Sequence, residues 1–218
     1  MRRTLLPSIL LLLGVAFLVR SRFADSNDRS RPLNAPAIEL APLCPWREPQ
    51  RDLAALFPEA TGYTKETRIL SGVRPQLQKQ LGRVPSADEN ALHIYRVKSP
   101  TGCLGSVLVR RVKGEHGGIE IVTAVDPAGT VTGVRVQSQR EPEATAAAIT
   151  SQQWLGAFAG KAANSPLTIG HDLPEVGPEP RASAQAIADG VRSQLVLLSL
   201  AEQTGDVRYP AVRSAVKH

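Results

Sequence analysis

The chain has 218 residues, 42% hydrophobic and 21% charged, which is enough for one ordinary domain with extensions and too balanced for wholesale disorder. The formal net charge is +6 and aromatic residues make up only 4%, and much of the excess charge sits in Arg2, Arg3, Arg20, Arg22, Arg29 and Arg31. Nucleic-acid binding needs clustered basic residues with interleaved aromatics, so that class is excluded and anionic lipid headgroups suit the pattern better.

Arg2 and Arg3 precede an apolar run from Leu5 to Val19 that ends at Arg20, the order of an export signal. Small residues at signal-peptidase spacing do not follow the run, so the sequence predicts an uncleaved signal-anchor over residues 1–23, with a cleaved signal as the alternative. At helical rise the run spans roughly 22 Å, short of the roughly 30 Å hydrocarbon core unless the flanking arginines snorkel or the bilayer thins. Arginines on both flanks give the positive-inside rule only a weak vote on orientation.

Residues 24–50 lack periodicity and carry Pro32, Pro36, Pro42, Pro45 and Pro49, which predicts an extended spacer. A folded domain is expected over residues 51–203. It opens with a short helix marked by Leu53, Leu56 and Phe57, then a helix over Val73–Leu81 with Gly82 as its C-cap. Strands are expected around Leu92–Val97 and Cys103–Val112, and a hairpin over Gly118–Val125 and Val131–Val136 with its turn at Asp126–Gly129. Helical regions follow at Ala144–Phe158 and Ala182–Ala201, the second with Ala184, Ile187, Val191, Leu195 and Leu198 as one stripe, widened by Val196, Leu197 and Leu200 toward either a helix–partner contact or burial on two sides. Residues 204–218 form a patternless tail, expected to be loosely ordered or a docking strap. Strands followed by helices predict an α+β fold with an antiparallel sheet and flanking helices, preceded by one transmembrane helix.

Cys44 and Cys103 are the two cysteines, and with His93, His116, His171 and His218 they show no metal-ligand spacing, so no metal site is expected. In an oxidising compartment the two cysteines could pair; two unpaired thiols is the other reading. No spacing proposes a catalytic nucleophile with its base, and Glu141 and Glu143 flanking Pro142 read as a turn rather than acid/base machinery.

The succession Gly114–Ala144, Trp154–Lys161 and Ala182–Leu195 resembles the FMN-binding domain family, which includes flavin-carrying subunits of Rnf-type and sodium-pumping NADH:quinone oxidoreductase complexes. The likeness covers residues 53–203 and rests on segment order more than on any one motif. It implies a membrane electron-transfer setting, either respiratory or photosynthetic, with the domain on the periplasmic side of a cell inner membrane. In that family an Asp-x-x-Ser/Thr-Gly-Ala-Thr motif before the last helix supplies a threonine esterified to the FMN phosphate. Laid on this chain, the motif falls on Glu175–Arg181, with Pro178, Glu179 and Pro180 in place of small residues and Arg181 at the acceptor position. A guanidinium cannot form a phosphoester, so the resemblance implies that covalent FMN is not expected here. The family's Glu-Thr-Pro-Gly turn becomes Glu141, Pro142, Glu143 and Ala144.

If FMN is held, it is held non-covalently, and the residues the resemblance points to are Arg181, Ser183, Glu141 and His116. Arg181 precedes a helix whose amides favour an anion; a cation alone there is unfavourable, so the other reading gives Arg181 an acidic partner in Glu175, Glu179 or a neighbouring subunit. The expected role is a structural or accessory subunit of a membrane redox complex rather than a stand-alone catalyst. The alternatives are an electron-transfer protein with loosely held FMN and a binding module for an unrelated partner.

Overall fold

The computed structural model describes residues 49–204, together with the backbone of two short strands, Arg31–Pro32 and Arg208–Tyr209. The expected anchor, Cys44 and Trp46 lie outside the described residues.

Alternation of apolar and polar residues builds an antiparallel meander of long strands: β2 (Gly62–Ile69), β3 (Ala91–Ser99), β4 (Gly102–Lys113), β5 (Gly118–Val125) and β6 (Val131–Ser138). The hairpin between β5 and β6 closes as its composition dictates, because the Asp126 carboxylate accepts from the amides of Ala128 and Thr130, both at 2.9 Å. The short strands β1 (Arg31–Pro32) and β7 (Arg208–Tyr209) both pair antiparallel with β2, at Gly62–Tyr63 and Thr67–Arg68 respectively. Part of the expected spacer and part of the tail therefore belong to the sheet.

One face of the sheet carries Leu92, Ile94, Leu108, Ile119, Ile121 and Val125, and helix α5 (Arg181–Gln203) lies across it. Gly190 allows the close approach, since a Cβ there would stand 2.5 Å from Val112 Cγ1 and 2.8 Å from Ile121 Cδ1. Helix α2 (Arg74–Leu81) also packs on α5, and Trp154, Phe158, Leu167 and Leu173 belong to the same core cluster; of the two readings of the widened stripe, the described residues fit burial on two sides. Each fully buried aliphatic side chain here contributes about 1.5–3 kcal/mol. The opposite sheet face is covered by α1 (Gln50–Leu56), whose Leu53, with Phe57 just beyond it, packs on Tyr95, Val97, Val107 and Val122.

Gly82 ends α2 in the left-handed region at φ 71°, its amide bonding the Gln78 carbonyl at 3.0 Å, as expected of a C-cap glycine. Two expectations needed correction. The region Ala144–Phe158 is not one helix: α3 (Glu143–Thr150) and α4 (Gln152–Gly156) are split at Ser151, whose backbone is extended and whose side-chain Oγ caps the second piece by accepting from Trp154 N. Strand β2 has no counterpart in the sequence reading; its Lys65, Glu66 and Arg68 mask the alternation, with Lys65 exposed and Glu66 ion-paired with Arg96 and Arg68.

Candidate functional site

The turn joining β4 to β5, the segment after β6 and the first turn of α5 converge on one buried carboxylate. Glu141 is 7% exposed. It accepts from the His116 amide at 3.2 and 3.3 Å and pairs with the His116 ring through Nδ1 at 3.0 Å. The turn itself is closed by the Gly114 amide on the Gly117 carbonyl at 2.7 Å. Gly114 is required by space: a Cβ would lie 2.2 Å from Glu141 Oε1 and 2.7 Å from Ile119 Cδ1.

From α5, Ser183 completes the cluster. Ser183 is 0% exposed, and its Oγ accepts from the Glu115 amide at 3.0 Å. Burial pushes the Glu141 carboxyl up, but the His116 ring and amide, the Ser183 hydroxyl and the His116 charge together hold it below its ordinary value. The His116 imidazole meets the Glu141 carboxylate rather than Ser183, so the serine–histidine contact of an activated nucleophile is absent from this cluster. What the arrangement does chemically is lock a turn onto a helix start.

Arg181 is at the same helix terminus but turns away. It forms an ion pair with Glu175, both side chains 52% exposed. The other Glu175 oxygen rests against Gly170, where a Cβ would stand 2.9 Å away. Three of the four residues singled out from the sequence, His116, Glu141 and Ser183, are thus brought together, and the fourth is held apart by the acidic partner that helix electrostatics calls for.

These residues bear directly on whether FMN fits. Phosphoester attachment needs a presented hydroxyl. Arg181 has none, and Ser183 is fully buried with its Oγ accepting from the Glu115 amide. A free phosphate approaching Arg181 would have to compete with the Glu175 carboxylate. The residues present do not form a ready cradle for the cofactor.

Sequence reasoning missed a second polar centre. Glu89 is fully buried and receives two bonds from Arg83, at 2.9 and 2.7 Å, and one from Arg110 at 3.0 Å, with the Ser86 amide at 2.8 Å. Burial raises its carboxyl, but Arg83, Ser86 and Arg110 overcome that and bring it down to about 2. Arg83 also reaches Ser193 on α5 at 3.0 Å. The local signal was readable: Ser86-x-x-Glu89 is a capping box, and it caps the short turn Ala87–Asn90. The two arginines, brought from the loop after α2 and from β4, were not. A shallow pocket of about 130 Å³ beside this centre is lined by Leu81, Arg83, Asp189, Arg192 and Ser193. A carboxyl held so low is a poor proton shuttle near neutral pH, so the centre reads as a structural bolt between α5 and the sheet. Among the described residues no group of three or more His, Cys, Asp or Glu could hold a metal ion. No helix among them is long and apolar enough to cross a membrane.

Fold and site together define an α+β domain: an antiparallel meander clasped by one long C-terminal helix, with internally satisfied polar clusters at the helix start and middle. No protein-family model matches the chain, and no curated protein matches it. Among solved structures it is similar to the crystal structure of Shewanella oneidensis NqrC, at 15% sequence identity and a TM-score of 0.43, over 69% of this chain and 87% of that one. No residue role is carried over from that likeness.

Proposed function

We propose that this protein is a membrane-anchored accessory domain of a membrane electron-transfer complex, built like a flavin carrier but without covalently attached flavin. The N-terminal residues 1–23 would anchor it as a single pass in a cell inner membrane, with the domain on the periplasmic side and other subunits of the complex as partners. The observation that carries this reading is the closed cluster of Gly114, His116, Glu141 and Ser183, which spends on internal bonds the polar groups a cofactor would need. The sequence resemblance to the FMN-binding domain family supplies the setting. A domain whose polar groups are satisfied internally is suited to contact protein rather than to hold a ligand.

The second reading, an electron-transfer protein holding FMN non-covalently, is favoured by one feature. Arg181 presents a half-exposed guanidinium at the start of a long helix, where phosphate is well received once Glu175 yields.

Purification of the full chain from its native membrane separates the two. The accessory reading expects a protein without flavin absorption and without an added FMN mass, recovered together with larger membrane subunits. A yellow protein whose flavin is released on denaturation would establish the second reading, and an FMN adduct in the intact mass would sink the first.

A further inference from the structure

The way both chain ends meet the sheet fixes which side of the domain faces a membrane. Arg31 and Pro32 pair with Tyr63 and Gly62, and Arg208 and Tyr209 pair with Arg68 and Thr67, so both termini leave along the outer edge of β2. Helix α1, the first helix of the described domain, packs at the opposite edge: Leu56 lies against Gly133 of β6, and Asp52 bonds Arg135 of β6 at 2.8 Å. Without β1, a spacer running freely from an anchor to Gln50 would draw the β6 edge toward the lipid. With β1 in place, the chain is pinned at β2 first.

We propose that the outer edge of β2 is the side of the domain held against the lipid surface. The inference rests on the anchor reading given under the proposed function. The apolar run ends at Arg20 and the first pinned residue is Arg31. That leaves about 11 residue steps, which reach at most about 38 Å fully extended. The meander from β2 to β6 is four strand spacings, about 19 Å wide, inside a domain about 40 Å across. Even fully extended the tether is no longer than the domain is wide, so the β2 edge stays nearer the lipid than the β6 edge. Lys65, exposed on β2 with its ammonium 5.4 Å from the Tyr95 ring centre, lies on the lipid-facing side.

The test uses the full chain with Cys44→Ser and Cys103→Ser, carrying one fluorophore at either Lys65→Cys on β2 or Thr132→Cys on β6, both exposed positions. Each is reconstituted into phosphatidylcholine vesicles bearing a headgroup nitroxide quencher and floated on a density gradient. Flotation with several-fold stronger quenching at position 65 than at position 132 is the expected result. Flotation with equal quenching, or stronger quenching at position 132, overturns the placement and leaves the anchor standing. A protein that does not float with the vesicles overturns the anchor reading and this placement with it.

Discussion

Glu89 and Glu141 are both buried carboxylates that tie α5 to the turns of the sheet, and they are compensated in opposite ways. Glu89 is met by two guanidinium groups, fixed positive charges at any accessible pH. Glu141 is met by one imidazole, one hydroxyl and one amide, mostly neutral dipoles. Fixed charge makes an attachment that is costly to break from either side, whereas dipoles and a titratable ring make one that depends more on shape. The Glu89 centre therefore holds the middle of α5 as a bolt, and the Glu141 cluster shapes the helix start.

The largest effect should follow from breaking the bolt. Glu89→Ala removes the acid shared by Arg83 and Arg110 and leaves a cavity; because Arg83 is half exposed and Arg110 keeps Asp88 at 3.1 Å, the cost should fall below the about 3–5 kcal/mol of a fully buried pair. Urea unfolding of the isolated domain would register it as a lower midpoint; a change below about 1 kcal/mol would show that the arginines re-pair elsewhere.

Gly114→Ala should come next. Its new methyl would collide with Glu141 Oε1 and Ile119, and overpacking of this kind costs about 1–3 kcal/mol. Because the turn must shift to accept it, the His116 contact to Glu141 should loosen as well, visible as altered amide exchange at residues 114–117. A fully stable variant with unchanged exchange would mean that the turn is not under the steric constraint described.

Acid should separate the two centres in the same direction. Glu89 falls from an ordinary 4.5 to about 2 on folding, so the stability it contributes is fully present above about pH 4.5 and is lost as pH falls toward 2. Glu141 is also lowered, so it adds to the same acid-side loss without extending it to higher pH. Stability profiles of wild type and Glu89→Gln should therefore converge below about pH 4. Parallel profiles down to pH 2 would contradict the assignment of the acid limb to Glu89.

How much of this could be read from the sequence follows the range of each interaction. Helix α5, the β5–β6 hairpin and the Gly82 cap are specified by neighbours within a few residues, and composition located them. Strand β2 escaped because Lys65, Glu66 and Arg68 erase the alternation that marks half-buried strands; Glu66 and Arg68 are largely covered and ion-paired, which composition does not reveal. The break at Ser151 escaped because a serine within an alanine-rich stretch is read as a weak helix residue before it is read as a cap. Of the Glu89 centre only the capping box is local; Arg83, Arg110 and Ser193 meet it through the sheet and α5. The meeting of His116, Glu141 and Ser183 has the same origin, since three separate segments bring them together. Arg181 was the exception: helix electrostatics demanded an acid nearby, and six residues upstream Glu175 supplies it.

That last pair should give the smallest effect and is the most informative about function. Arg181 and Glu175 are each half exposed, so Arg181→Ala should cost only about 0.2–1 kcal/mol in unfolding free energy. Removing a cation from the start of α5 relieves an unfavourable interaction with the helix dipole, which offsets part of that loss. A double-mutant cycle with Glu175→Ala isolates the pair itself, and a coupling within that range fits a surface clasp. A coupling above about 2 kcal/mol would mean that the pair is desolvated in the folded protein. In the native complex the expectation differs: if a neighbouring subunit covers this helix start, as the accessory reading holds, Arg181→Ala should weaken recovery of the assembly while leaving the isolated domain nearly as stable. Equal loss in both settings would make Arg181 a fold residue only and remove this surface from the interface.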